Sequence, residues 1–226
     1  MTKSQYLSIG LFLAIIILAI VLGVTQSGTV ELTVDAPEGE AVADSQEGAY
    51  IVDAEQSEIQ WAGSKTFIDG YTDIGTVDVA EGVINIDNGD LAGGSIIIDM
   101  TTITATNTGR GSGEERLSGH LQSEDFFAIE QYPTASYIIT EVTETDEEGI
   151  YMVVGDMTIK DTTTAVDALI ELRETEENII VVAELSINRT RFNVRFGSDK
   201  FFDNLGNNTI DDEFTLDIVL QAPLTQ

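Results

Sequence analysis

Val166-Asp167-Ala168-Leu169-Ile170-Glu171-Leu172 places apolar residues at every second position. Val166, Ala168, Ile170 and Leu172 share one face of an extended strand, Asp167 and Glu171 share the other, and Leu169 is the exception. Ile179, Val181, Ala183, Leu185 and Ile187 repeat the period, and Phe214, Leu216, Ile218 and Leu220 repeat it near the C-terminus. One curled antiparallel sheet with a dry inner face and a wet outer face accounts for all three segments.

Working outward, Val83-Ile84-Asn85-Ile86 runs into Asp87-Asn88-Gly89-Asp90, a strand followed by a hairpin turn. Ile96-Ile97-Ile98 and Ile138-Ile139 are continuous rather than alternating, which predicts strands covered on both sides or leaning on a helix. The strand pattern breaks between Thr104 and Pro133, where four glycines precede Ser123-Glu124-Asp125-Phe126-Phe127. Ser123 is read there as the cap of a short helix.

The 226 residues divide into three parts: an N-terminal segment (1–24), a flexible acidic linker (25–48) and a β-barrel domain (49–226). Leu7 to Val24 is uncharged, follows Lys3 and meets no charge until Glu31, which predicts a transmembrane helix through residues 7–24. On that reading the folded domain is membrane-anchored and extracytoplasmic, in a bacterial periplasm or at a cell surface, or secreted if the segment is cleaved. The formal charge of −30 makes nucleic acid a poor partner. The absence of cysteine excludes disulfides and thiol chemistry, and one histidine excludes a multi-histidine metal site. No phosphate-cradling glycine loop, metal cluster or nucleophile-base spacing stands out, so the sequence predicts neither an enzyme nor a cofactor.

Gly119-His120-Leu121-Gln122-Ser123-Glu124-Asp125-Phe126-Phe127 followed by Gln131-Tyr132-Pro133-Thr134 resembles the signature of the YceI-like, lipocalin-like family of polyisoprenoid-binding proteins. Tyr50 to Ala54, Gly155 to Ile159 and Ile187 to Arg195 support the resemblance in the same order. Trp61-Ala62-Gly63-Ser64-Lys65 and the extended approach to His120 are similar to a Trp-Gly-Lys subgroup of that family. The resemblance implies an eight-stranded antiparallel lipocalin-like barrel with one short helical insertion. It further implies noncatalytic binding, storage or transport of a polyisoprenoid or another long-chain lipid. A ligand-free structural or protein-interaction module is the alternative, because an eight-stranded barrel can hold a ligand or be filled by its own side chains.

Candidate ligand-binding residues follow from parity and from the motif. Val166, Ala168, Ile170, Leu172, Phe214, Leu216, Ile218 and Leu220 are the inward sets. Trp61, Phe126, Phe127 and Tyr132 supply aromatic surface for a cavity or a core. His120 is read as a packing residue or as a polar contact at a cavity mouth. Arg189 continues the parity of Leu185 and Ile187, so its burial calls for a carboxylate or several carbonyl partners. Arg191 and Arg195 are read as head-group contacts or as internal ion-pair partners.

Overall fold

A computed structural model describes residues 34–42 and 46–224 of the chain. Nine strands form one sheet: β1 (Gly48–Ile51), β2 (Glu58–Lys65), β3 (Thr72–Asp87), β4 (Asp90–Asn107), β5 (Thr134–Glu144), β6 (Ile150–Ile159), β7 (Thr162–Glu174), β8 (Asn178–Asn188) and β9 (Ile210–Pro223). Each pairs antiparallel with its neighbours, and β3 pairs with β4 to close the ring. β1 and β2 lie end to end on one edge of β3, at Val83–Ile86 and Thr72–Thr76 respectively, so they jointly occupy one position in an eight-stranded barrel. Four register shifts along the β3–β4 ladder bend these two longest strands enough to curl the sheet shut.

The inner face follows the expected parity. Val166, Ala168, Ile170 and Leu172 are buried, as are Ile179, Val181, Ala183, Leu185 and Ile187, while Leu169 turns outward and is only half-buried. The β3–β4 hairpin turns at Asn88 and Gly89 with φ of 52° and 86°, the two left-handed positions that an Asn-Gly pair supplies. The continuous isoleucine runs are corrected to ordinary alternation: Ile96 and Ile98 are buried, Ile97 is half-buried and Ile138 is 51% exposed. Neither run is covered on both sides.

The helix is also displaced from its expected position. α1 (Glu114–Gln122) precedes Ser123, which ends it: the Ser123 backbone N–H and hydroxyl both donate to the His120 carbonyl, at 3.1 and 2.7 Å. β5 pairs with β4 only over Ser95–Asp99, which leaves the later part of β4 with an open edge. α1 satisfies it, with Ser118 Oγ accepting from Ala105 N–H at 2.9 Å and Gln122 Nε2 donating to the Ile103 carbonyl at 3.1 Å.

The transmembrane helix expected through residues 7–24 lies outside the described residues, and among those no helix is long and apolar enough to cross a membrane. Among the described residues the architecture is a barrel with one short helix, and no membrane helix is part of it. The anchor, the membrane as partner and the localisation derived from them lose their structural basis with it. Hydropathy measures what a segment gains by leaving water, not where it resides. At the linker's end, the Glu40 main chain exchanges hydrogen bonds of 2.9 and 2.7 Å with Glu174, and Val42 is buried in the barrel's core cluster.

Two packing constraints have measurable consequences. A Cβ at Gly155 would stand 2.4 Å from Cζ of Tyr137, whose hydroxyl donates to the Val166 carbonyl at 2.9 Å across the interior. Gly155→Ala is therefore expected to cost roughly 1–3 kcal/mol of stability by overpacking. Urea denaturation checks this, and an unchanged midpoint contradicts it.

Asp217 faces outward between Glu184 on β8 and Gln60 on β2. Burial first, and then the Glu184 charge, pushes its carboxyl from the ordinary 3.8 up to about 6. Between those values the native state holds a proton that the unfolded chain releases, so stability falls as pH rises through this window. Asp217→Asn is expected to raise stability near pH 8 by roughly 1–2 kcal/mol after allowance for solvent screening, and to change little near pH 4. Denaturation curves at the two pH values decide it; a variant no more stable than the parent near pH 8 contradicts the assignment.

Candidate functional site

The barrel has two unlike ends. Short hairpin turns connect β3 to β4, β5 to β6 and β7 to β8 at one end, while the connections at residues 66–71, 108–133 and 189–209 lie at the other. A cavity of about 470 Å³ opens at the end with the long connections. Val77, Ile98, Met100, Ala135, Met157 and Leu216 are among its inner walls, Leu117, Leu121, Phe126 and Phe127 face it from α1 and the following turn, and Trp61 and Phe214 add to the apolar lining.

Toward the hairpin end lies a second, smaller space of about 50 Å³, and Met157 lines both. Ala168, Ile170, Ile218 and Leu220 line this small space, and Tyr137 crosses beside it. Val166 and Leu172 are buried but line neither space. The inward sets read from the sequence therefore divide: the C-terminal set spans both spaces, whereas the set from β7 packs the closed half.

Trp61 lies flat across the site of a missing side chain. A Cβ on Gly75, its register partner, would stand 2.5 Å from the indole Cζ2, and Nε1 donates to the Thr104 carbonyl at 3.2 Å. The ring is 8% exposed and forms cavity wall, which joins its two expected roles, packing and lining.

His120 sits in the last turn of α1, not before a helix. Its ring meets Phe196 and Phe126 edge to face at centroid distances of 4.6 and 4.9 Å, and Nε2 lies 3.1 Å from Asp125 Oδ2. It thereby joins the α1 side of the cavity to the β8–β9 connection at the rim. Tyr132 stands apart from the cavity, its hydroxyl accepting from Gln131 Nε2 at 3.0 Å.

Arg189 is 4% exposed and forms part of the cavity wall. Nε donates to the Asp211 carbonyl at 2.8 Å, Nη1 to those of Val194 and Phe196 at 3.0 and 2.8 Å, and Nη2 to that of Ile210 at 3.0 Å. Asp212 Oδ1 is 3.6 Å away, and its other oxygen meets Lys200 Nζ at 2.7 Å. Burial alone would raise the Asp212 carboxyl, but Lys200, Ser198 and Arg189 outweigh it and hold the group below its usual range. One guanidinium thus fastens the β8–β9 connection to the start of β9, and its donors are committed to the protein. Arg191 donates to the Ala165 carbonyl at 3.2 Å and Arg195 lies over the Phe201 ring at 4.7 Å; neither lines the cavity.

Several lining residues were missed in the sequence. Met157 and Ile159 share the parity of Gly155, so β6 carried a usable signal. Met100 continues the parity of Ile96 and Ile98, so β4 carried a usable signal as well, whereas Ile103 lies where an irregularity shifts that parity by one. Lys65, Tyr71, Arg110, Arg116 and Phe196 come from strand ends, connections and the helix, where no strand period applies. Among the described residues no group of three or more His, Cys, Asp or Glu side chains gathers to hold a metal.

The family comparison matches a YceI-like domain over residues 50–222. Two solved structures share the fold: Burkholderia cenocepacia BcnA, and a polyisoprenoid binding domain from Saccharophagus degradans implicated in plant cell wall breakdown. The first has a TM-score of 0.57 at 18% identity, covering 76% of this chain and 99% of its own. The second has a TM-score of 0.58 at 18% identity, covering 79% and 99%. A comparison with curated protein sequences gives no match. The match does not resolve a Trp-Gly-Lys subgroup, but it spans the whole barrel from Tyr50 to Ala222, and the chain belongs to the YceI-like family, whose members are noncatalytic binding proteins.

Proposed function

We propose that this chain binds a long isoprenoid, or a lipid chain of similar length, inside the barrel and stores or transports it without altering any bond. The observation that carries the reading is the cavity of about 470 Å³, walled by Trp61, Met100, Met157, Leu216 and the face of α1. That volume lies within the roughly 300–1,000 Å³ typical of small-molecule sites. The likeness to the Saccharophagus degradans polyisoprenoid binding domain supports the same ligand class.

The energetics suit a chain without a reactive head. Each methylene moved from water into such a cavity contributes roughly 0.8 kcal/mol before conformational costs. Chain length therefore dominates affinity until the open half is filled, after which Met157 and the packed hairpin half resist further entry.

Trp61 is the single tryptophan and a cavity wall, so its fluorescence reports occupancy. Ala135 is a small lining side chain, 4% exposed. Ala135→Phe is expected to fill the cavity and weaken binding of a long isoprenol about tenfold or more, without lowering the melting temperature. Titration of delipidated full-length protein with isoprenols of increasing length tests both statements. Affinity that ignores chain length and survives Ala135→Phe contradicts the interior site and favours a ligand-free structural module.

A further inference from the structure

The barrel interior holds two spaces, of about 470 and 50 Å³, and among the described residues Met157 is the one side chain that lines both. On other strands the boundary falls between consecutive inward residues. Ile98 on β4, Ala135 on β5 and Leu216 on β9 line the large space, while Ile96, Tyr137 and Ile218, the next inward positions toward the hairpin end, line the small one. Met157 is level with that boundary, because Tyr137 is its register partner on β5 and Ile96 is the partner of Tyr137 on β4.

This level combines a fixed side chain with an adaptable one. Tyr137 leans over Gly155 toward β7, where its hydroxyl donates to the Val166 carbonyl at 2.9 Å. β6 runs from the hairpin end to the mouth, so Gly155 lies deeper than Met157 and the phenol stays out of the large space. Met157 is 1% exposed and unbranched, with three rotatable bonds, the kind of side chain that reshapes against a new neighbour. The space behind it is built by small residues: Gly93, Gly94, Ala168 and Ala183 stand on its walls, where larger side chains would close it. The rest of its lining is mostly Val, Ile and Leu, so a void there stays dry. Protein interiors otherwise pack to the density of organic crystals, and an empty apolar space forfeits contacts on every side.

We infer that Met157 is a partition that sets the longest chain the barrel accepts, and that the small space is a reserve opened to the ligand when this side chain is shortened. The inference rests on the carrier reading and adds what fixes its length specificity. A chain that fills the large space ends against Met157. A longer one leaves its surplus in water, where added carbons gain none of the free energy of burial.

The test titrates full-length, delipidated protein with geraniol, farnesol, geranylgeraniol and geranylfarnesol, reading the fluorescence of Trp61, which lines the large space. The parent chain is expected to gain affinity along the series and then stop at a break. M157A should move the break up by one isoprene unit, so that the first isoprenol past the parent's break binds about tenfold or more tighter. A168V, which narrows the small space, should leave the parent's series unchanged and should cancel the gain when combined with M157A. M157L, which conserves volume, should keep the parent's break. Melting temperatures show which variants fold, and M157V carries the same expectations should M157A fail to do so. A parent affinity that still rises at the longest isoprenol, or a break that stays put in folded M157A or M157V, overturns the inference and leaves the carrier reading intact. A gain that survives in the double variant does the same, because the added carbons would then occupy room vacated in the large space. A168V that by itself weakens the longer isoprenols also overturns it, since the ligand would already reach behind Met157. A parent chain that binds none of the four overturns the carrier reading, and this inference with it.

Discussion

β3 hydrogen-bonds to β1 and β2 along one edge and to β4 along the other, and everything inside the barrel depends on that closure. An open sheet with this inner face would expose its apolar stripe and two unpaired edges; closing it removes both liabilities at once. The register shifts on the β3–β4 ladder supply the bend. Gly75 and Gly155 supply the room, because Trp61 and Tyr137 lie where their side chains would be. Closure thus fixes the diameter, and the aromatic side chains decide how much of it is filled.

The same barrel is solid in one half and open in the other because its two ends are finished differently. Short turns finish the hairpin end, and Val42 joins the core cluster from the segment before β1. At the opposite end the chain makes its long excursions, which need internal anchors to hold a wall around empty space. Arg189 is one anchor, tying the carbonyls of Val194 and Phe196 in the β8–β9 connection to those of Ile210 and Asp211 at the start of β9. Ser118 and Gln122 are the other, stitching α1 to the edge of β4. The His120 ring lies between the two anchored segments, against Phe126 on one side of the mouth and Phe196 on the other.

Much of this was legible in the sequence wherever period two operates without interruption. The inward faces of β7, β8 and β9 were readable by parity, and Asn88-Gly89 named its own turn. Arg189 was legible by parity together with the demand that a buried guanidinium find several acceptors. The isoleucine runs misled because an apolar residue can sit on the outer face of a strand without needing cover, as Ile138 does. α1 was misplaced because Gly113 and Gly119 obscured its start and interior, while Ser123 offered a capping side chain that serves at the helix's end. The polar part of the cavity lining had no sequence signal: Lys65, Arg110 and Arg116 come from the end of β2, the β4–α1 connection and α1, and only the fold brings them to one cavity.

The likeness in fold to solved structures and the geometry of the interior are separate arguments. The fold supplies a barrel; the open half of this one comes from Ala135, Gly75 and the held-back walls of α1 and the β8–β9 connection. A crystal structure of full-length protein saturated with a long isoprenoid tests the account most directly. The account predicts continuous density for the chain from the mouth beside Lys65 and Arg116, past Trp61 and Leu216, to Met157. A saturated crystal in which side chains fill that space, with the lipid bound elsewhere or absent, would contradict it.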